Sequence, residues 1–315
     1  MRVLSFFLIS FIFCFKLTAQ KSQVIDVYCS KDTSCYLAIK SDDIFSQRWD
    51  TLAQAIFWKQ IMNLSSDTAI INIAASRKIL DNILMKNWNI KTDEEKLSFK
   101  DSVRNTHNLT DSTKIYITSG RKEFYLINST IPSISKAIEL FSYFKTDPWY
   151  AQAILLIESP GKLEYSSVGA YGSFQLMKSV ARSHGLIVNK EIDERKDFNK
   201  SAKAACSLLN TICIPETKRV LSKLNIEFDE NDLWFKFVVL HVYHAGIGNV
   251  EGLLGQISKD VTGNDIISWM WQNEWGNFKN ASQNYTQVAI AAILCLNDII
   301  YNNCNEIYEC NIEKL

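Results

Sequence analysis

Asp147-Pro148-Trp149-Tyr150-Ala151-Gln152-Ala153-Ile154-Leu155-Leu156-Ile157-Glu158-Ser159-Pro160-Gly161 is the stretch that decides the fold. Asp147 can cap a helix whose first position is Pro148, where a missing N–H costs nothing, and Pro160-Gly161 stops that helix. From Trp149 to Ile157 every residue but Gln152 is apolar or aromatic, so the helix is buried on all sides rather than amphipathic. It finishes on a carboxylate. There the negative end of the macrodipole and the exclusion of water both favour the protonated form of Glu158. A carboxyl that keeps its proton at about pH 6 to 7 is what a general acid requires. The competing reading is a solvated glutamate at a helix end, and position alone favours that reading.

Composition agrees with a helical protein. Of 315 residues 47% are apolar and 22% charged, enough for a sizeable core and too apolar for disorder. The 11 Gly and 4 Pro make up about 5% of the chain against roughly 12% in average usage, which disfavours a turn-dense sandwich, barrel or propeller. Lys plus Arg and Asp plus Glu balance at 34 each without a basic stripe, so nucleic acid is not an expected partner. Further helices follow from residues 198–214, from 233–245 stopping at Gly246, and from 285–301.

The front of the chain is less decisive. Arg2, the apolar run 3–15 and Thr18-Ala19 form a secretory signal peptide over residues 1–19, which implies export to the periplasm or medium, with membrane contact only if that segment is retained. Its removal takes Cys14 and leaves an odd number of cysteines, so at least one stays unpaired within the monomer. Cys206 and Cys213 on one helix would lie about 10 Å apart, too far to bridge. Cys29 with Cys35, and Cys304 with Cys310, are spaced to close small loops. Residues 20–146 form a mainly helical region: Phe45, Trp49, Leu52, Ala53 and Ile56 recur at helical spacing, and a second helix is expected after Ser65-Ser66-Asp67. Ile115-Tyr116-Ile117 and Phe124-Tyr125-Leu126 around Ser119-Gly120-Arg121 predict a small β-hairpin near 113–127. This region is read chiefly as packing that completes the core, with a lid or a docking surface as alternatives.

Beyond Glu158-Ser159 come Ser167-Val168-Gly169-Ala170-Tyr171-Gly172-Ser173-Phe174-Gln175-Leu176-Met177, then Asp193-Glu194-Arg195-Lys196-Asp197, then Val242-Tyr243-His244-Ala245-Gly246-Ile247-Gly248-Asn249, then Asn284-Tyr285. This ordered set resembles the soluble lytic transglycosylase family. That family has a Glu-Ser pair ending a buried helix, a Gly-Ala-x-Gly-Leu-Met-Gln-Leu-Met-Pro segment, an Ala-Tyr-Asn-Ala-Gly-x-Gly-Asn segment and a tyrosine opening the last core helix. The chain departs from it at Ser173-Phe174, Lys178 and His244. The resemblance implies a mainly α, lysozyme-like catalytic core over 147–302, followed by a tail at 303–315. It implies Glu158 as the catalytic acid and then base, with Ser167, Gln175, Met177, Tyr243, His244 and Tyr285 lining the substrate cleft.

The implied partner is peptidoglycan, cut at its β-1,4 MurNAc-GlcNAc bonds with 1,6-anhydroMurNAc formation, and no cofactor is called for. Metal is not expected, since His241-x-x-His244 lacks further ligands nearby. Two alternatives stay open: a goose-type-lysozyme-like hydrolase using the same lone glutamate, and a catalytically weak module that only binds or assembles glycan strands.

Overall fold

A computed structural model describes residues 22–29, 34–158, 166 and 169–307. The expected signal peptide at 1–19, Ser167, and the cysteine pair 304 and 310 lie outside what it describes in full. The fold is mainly α with small antiparallel sheets near the front. Strands β1 (Val24–Cys29) and β2 (Ser34–Ile39) form a hairpin. Helix α1 (Asp42–Ser46), a 3-10 turn at Trp49–Thr51 and α2 (Ala53–Asn63) follow. The helical spacing from Phe45 to Ile56 is therefore interrupted, because Arg48 takes a left-handed φ of 61°. At the break Trp49 turns inward, meeting Phe237 edge-on at 5.0 Å and Trp271 at 6.3 Å.

Strands β3 (Thr68–Ile73) and β4 (Ile79–Leu84) form a second hairpin, and β5 (Ile115–Ser119) joins the free side of β3 in the order β4-β3-β5. Two expectations are corrected here. The helix expected after Ser65-Ser66-Asp67 is strand β3: Ala69-Ile70-Ile71-Asn72 is buried on both faces, and a short apolar run of that kind carries no periodicity to separate strand from helix. The hairpin expected near 113–127 does not form as such, since only its first arm is a strand and that arm pairs with β3. Beyond it Arg121 N–H donates to Ile61 O at 2.8 Å and Lys122 N–H to Leu64 O at 3.0 Å, drawing the second arm onto the end of α2. Gly120 permits that approach, as a Cβ there would lie 2.2 Å from Leu64 O.

Helices α3 (Met85–Asn89) and α4 (Asp93–Thr106) project from the sheet with no buried residue of their own; α4 starts in a capping box of Thr92 and Glu95. Then come α5 (Ile127–Tyr143), α6 (Pro148–Glu158), α7 (Lys178–Ser183) and α8 (Phe198–Leu208). The helix expected to end at 214 runs on: a π turn at Leu209–Cys213 leads into α9 (Ile214–Lys223), whose first turn accommodates Pro215. Helices α10 (Leu233–Ala245), α11 (Ile247–Leu254), α12 (Asn264–Met270) and α13 (Asn280–Ile307) complete the chain. Helix α13 reaches into the expected tail, because nothing between 301 and 307 breaks a helix. Cys35, Cys206, Cys213 and Cys295 are free thiols. Among the described residues no helix is long and apolar enough to cross a membrane.

The central helix is α6, packed by α5, α10, α13 and β2. Its one buried amide, Gln152, accepts from Ile39 N–H at 2.8 Å and donates to Ile39 O at 3.2 Å, so the front hairpin is bonded to the helix that ends at Glu158. At the start of α6, Asp147 accepts from the buried Lys236 ammonium at 2.8 Å. Front residues Ile39, Ile44, Trp49 and Phe57 share a single apolar core with α6, α10 and α13.

Candidate active site

The last residue of α6, the end of α10, the second turn of α13 and a tight turn at 169–177 meet around Glu158. The Tyr285 hydroxyl donates to Glu158 Oε1 at 2.7 Å. Burial pushes the Glu158 carboxyl up to about 7, while the Tyr285 hydrogen bond, which favours the charged form, works in the opposite direction. Burial and the nearby Glu158 charge hold Tyr285 well above the ordinary phenol range, so its hydroxyl stays a donor. The His244 ring stacks on Tyr285 with centroids 4.2 Å apart at 20°. Packing against Tyr285 desolvates the ring and lowers its pKa to about 4 although the residue keeps an exposed edge, leaving the imidazole neutral at physiological pH.

Tyr243 connects the carboxyl to the turn. Its hydroxyl donates to Phe174 O at 2.7 Å, and its pKa is raised by burial and then by the Glu158 charge. The turn is held by its own backbone and by one buried cation. Tyr171 and Leu176 exchange backbone hydrogen bonds at 3.2 Å, and Gly172 has a φ of +83° with its Cα against Arg195 O, only 2.0 Å from where a Cβ would sit. Arg195, 4% exposed, is clamped by Asp193 at 2.9 and 2.7 Å and donates to Gly169 O at 2.9 Å and Leu176 O at 3.0 Å. Phe174, standing where the resembling family has a methionine, is fully buried and stacks on Phe141 at 5.7 Å.

Of the residues expected from sequence, Glu158, Tyr243, His244 and Tyr285 come together. Gln175 and Met177 ride on the turn that Tyr243 holds. The Gln175 amide donates to Gly172 O at 2.9 Å across its own turn, and Met177 is 41% exposed at the start of α7. His241 Nε2 lies 2.9 Å from Thr286 Oγ1 while His244 stacks on Tyr285, so the two imidazoles serve different partners. Sequence reasoning missed Tyr125, whose pKa burial pushes up to about 12, with Arg121 lowering it and Glu158 raising it. Its only local signal, Phe124-Tyr125-Leu126, looked like a strand.

Residues 137–254 match the family model described as Transglycosylase SLT domain. Over those residues the chain is similar to the SLT family. No curated protein matches the chain. The SLT match spans α6, the turn at 169–177, Arg195 and α10, and with them Glu158, Tyr243 and His244. Tyr285 lies beyond it on α13. An SLT domain indicates lytic-transglycosylase-type, peptidoglycan-directed activity of the glycan-lyase kind.

Proposed function

We propose that this protein is an exported peptidoglycan lytic transglycosylase that cleaves β-1,4 MurNAc-GlcNAc bonds and releases 1,6-anhydroMurNAc ends, with Glu158 as its single acid and base. The observation that carries the reading is the Glu158 carboxyl itself: last residue of a buried helix, held by Tyr285 and still protonated up to about pH 7. Because Oε1 accepts from Tyr285, the proton given to the leaving group is assigned to Oε2. In the first half of the reaction Glu158 protonates the glycosidic oxygen as its bond to MurNAc C1 breaks. The Tyr285 hydrogen bond strengthens as charge grows on the carboxylate. In the second half the carboxylate takes the proton of the MurNAc C6 hydroxyl, whose oxygen closes on C1. No water is consumed and Glu158 ends protonated. Because the nucleophile is tethered to the sugar, effective molarities on the order of 10⁵ M stand in for a positioned water and a second carboxylate. Tyr243, His244, Gln175, Met177 and Ser167 are assigned to the walls of the glycan cleft, residues 147–302 to the catalytic unit and residues 1–19 to the export signal.

Digestion of purified peptidoglycan by wild type and Glu158→Gln, followed by mass analysis, tests this. Products one water lighter than hydrolytic muropeptides, lost in Glu158→Gln, are expected. Reducing ends of full mass would indicate a goose-type-lysozyme-like hydrolase instead. Equal glycan binding by both proteins with no cleavage by either would indicate a binding or assembly module.

A further inference from the structure

Arg77 is placed where an arginine is costly three times over. It sits in the β3–β4 loop at a φ of 57°, a left-handed conformation that glycine or asparagine adopts more readily. It is 6% exposed, and burial opposes its charge. No carboxylate among the described residues pairs with it; its guanidinium instead lies over the rings of Phe57, Trp58 and Tyr116 at 5.5 to 5.8 Å. What the side chain does hold is the start of α13. One of its nitrogens donates to Asn280 Oδ1 at 3.2 Å and to Asn284 Oδ1 at 2.8 Å, and Asn284 Nδ2 returns to Asn280 Oδ1 at 3.1 Å. A cation at a helix N-terminus opposes the macrodipole, so stabilising the helix does not explain it. The residue after Asn284 is Tyr285. On the next turn Trp58, beneath the guanidinium, donates to Gln287 Oε1 at 3.1 Å.

We propose that Arg77 is a positioning residue for the Glu158 carboxyl: by gripping Asn280 and Asn284 it sets the rotation of α13 that aims the Tyr285 hydroxyl at Glu158. The inference rests on the proposed role of Glu158 as the acid. It makes the front sheet, which lies outside the SLT match, part of the catalytic apparatus. Among the described residues, the titratable groups facing Glu158 are Tyr285 from α13, Tyr243 from α10 and Tyr125 ahead of α5, with His244 stacked behind Tyr285. Arg77 acts on the carboxyl only through Tyr285.

The test is the titration of Glu158 in the full chain by carbon-detected NMR of labelled glutamate, with the signal assigned by its absence in Glu158→Gln. Tyr285→Phe removes a donor to the charged form and raises the Glu158 midpoint above about 7. Arg77→Met is expected to raise it too, by on the order of half a pH unit, and to add nothing in the Tyr285→Phe background. The Asn280→Ala/Asn284→Ala pair removes the same grip from the other side and decides the matter if Arg77→Met does not fold. An unmoved midpoint in the Arg77 or asparagine variants, in Tyr285→Phe itself, or full additivity with Tyr285→Phe, would overturn the proposal. The titration needs no substrate. A wild type that behaves as expected here yet releases no muropeptides would therefore overturn the proposed function and leave the positioning role intact.

Discussion

Glu158 is held in conflict with folding, and that conflict is measurable. Its folded pKa of about 7 stands above its ordinary 4.5, so its contribution to stability is complete below about pH 4.5 and is lost as pH rises through about 7, where the fold must bury a charge. Glu158→Gln removes that charge. It is expected to leave the melting temperature nearly unchanged at pH 4.5 and to raise it at pH 8.5, by up to about 3 kcal/mol in stability, read by thermal unfolding at the two pH values. The same substitution should lower cleavage of peptidoglycan by at least about a hundredfold. Gain of stability with loss of activity at one residue is the signature of a carboxyl kept for chemistry. At this scale much of the site was legible: Glu158, Tyr243, His244 and Tyr285 lie in or beside local motifs. Arg77 and Tyr125 were not, because their roles depend on where β3–β4 and the segment after β5 dock, and nothing beside them in sequence records that.

At the scale of elements, the turn at 169–177 keeps its shape because Gly172 and Arg195 occupy one small volume. Gly172→Ala would introduce a Cβ at φ +83° into the Arg195 backbone, which cannot rotate away as a side chain would. A loss of about 3 kcal/mol or more is expected in urea unfolding, together with a fall in activity larger than any change in glycan binding, since Tyr243 is anchored on Phe174 O within that turn. Elements with complete local signals were readable from sequence. Helix α6 has its own cap, Asp147 accepting from Trp149 N–H at 2.9 Å, and a Pro160-Gly161 stop in its sequence, and α10 ends at Gly246 with a φ of 79°. Strand β3 and the pairing of β5 were not readable. An apolar run as short as Ala69-Ile70-Ile71 has no period, and β5 finds its partner more than 40 residues earlier in the chain.

At the scale of the whole molecule, one apolar core runs through the described residues from β2 to α13. Trp49 from the front packs on Phe237 of α10, Gln152 of α6 bonds Ile39, and the partner of Glu158 is delivered by α13, beyond the SLT match. Trp49→Ala is expected to cost about 3 to 5 kcal/mol in chemical unfolding. A chain reduced to residues 137–254 should show no cooperative thermal transition. A cooperative melt of that fragment would make the front region dispensable to the fold. The central claim, however, concerns a lone acid that is protonated near neutrality, and the pH dependence of kcat/KM for peptidoglycan cleavage tests it most directly. His244 titrates near 4 and the surrounding tyrosines well above neutrality, so a single alkaline limb with its midpoint at about 7 is predicted, absent from the residual activity of Glu158→Gln. A rate that holds or rises through pH 7 to 9, or a limb centred near 4.5, would contradict it.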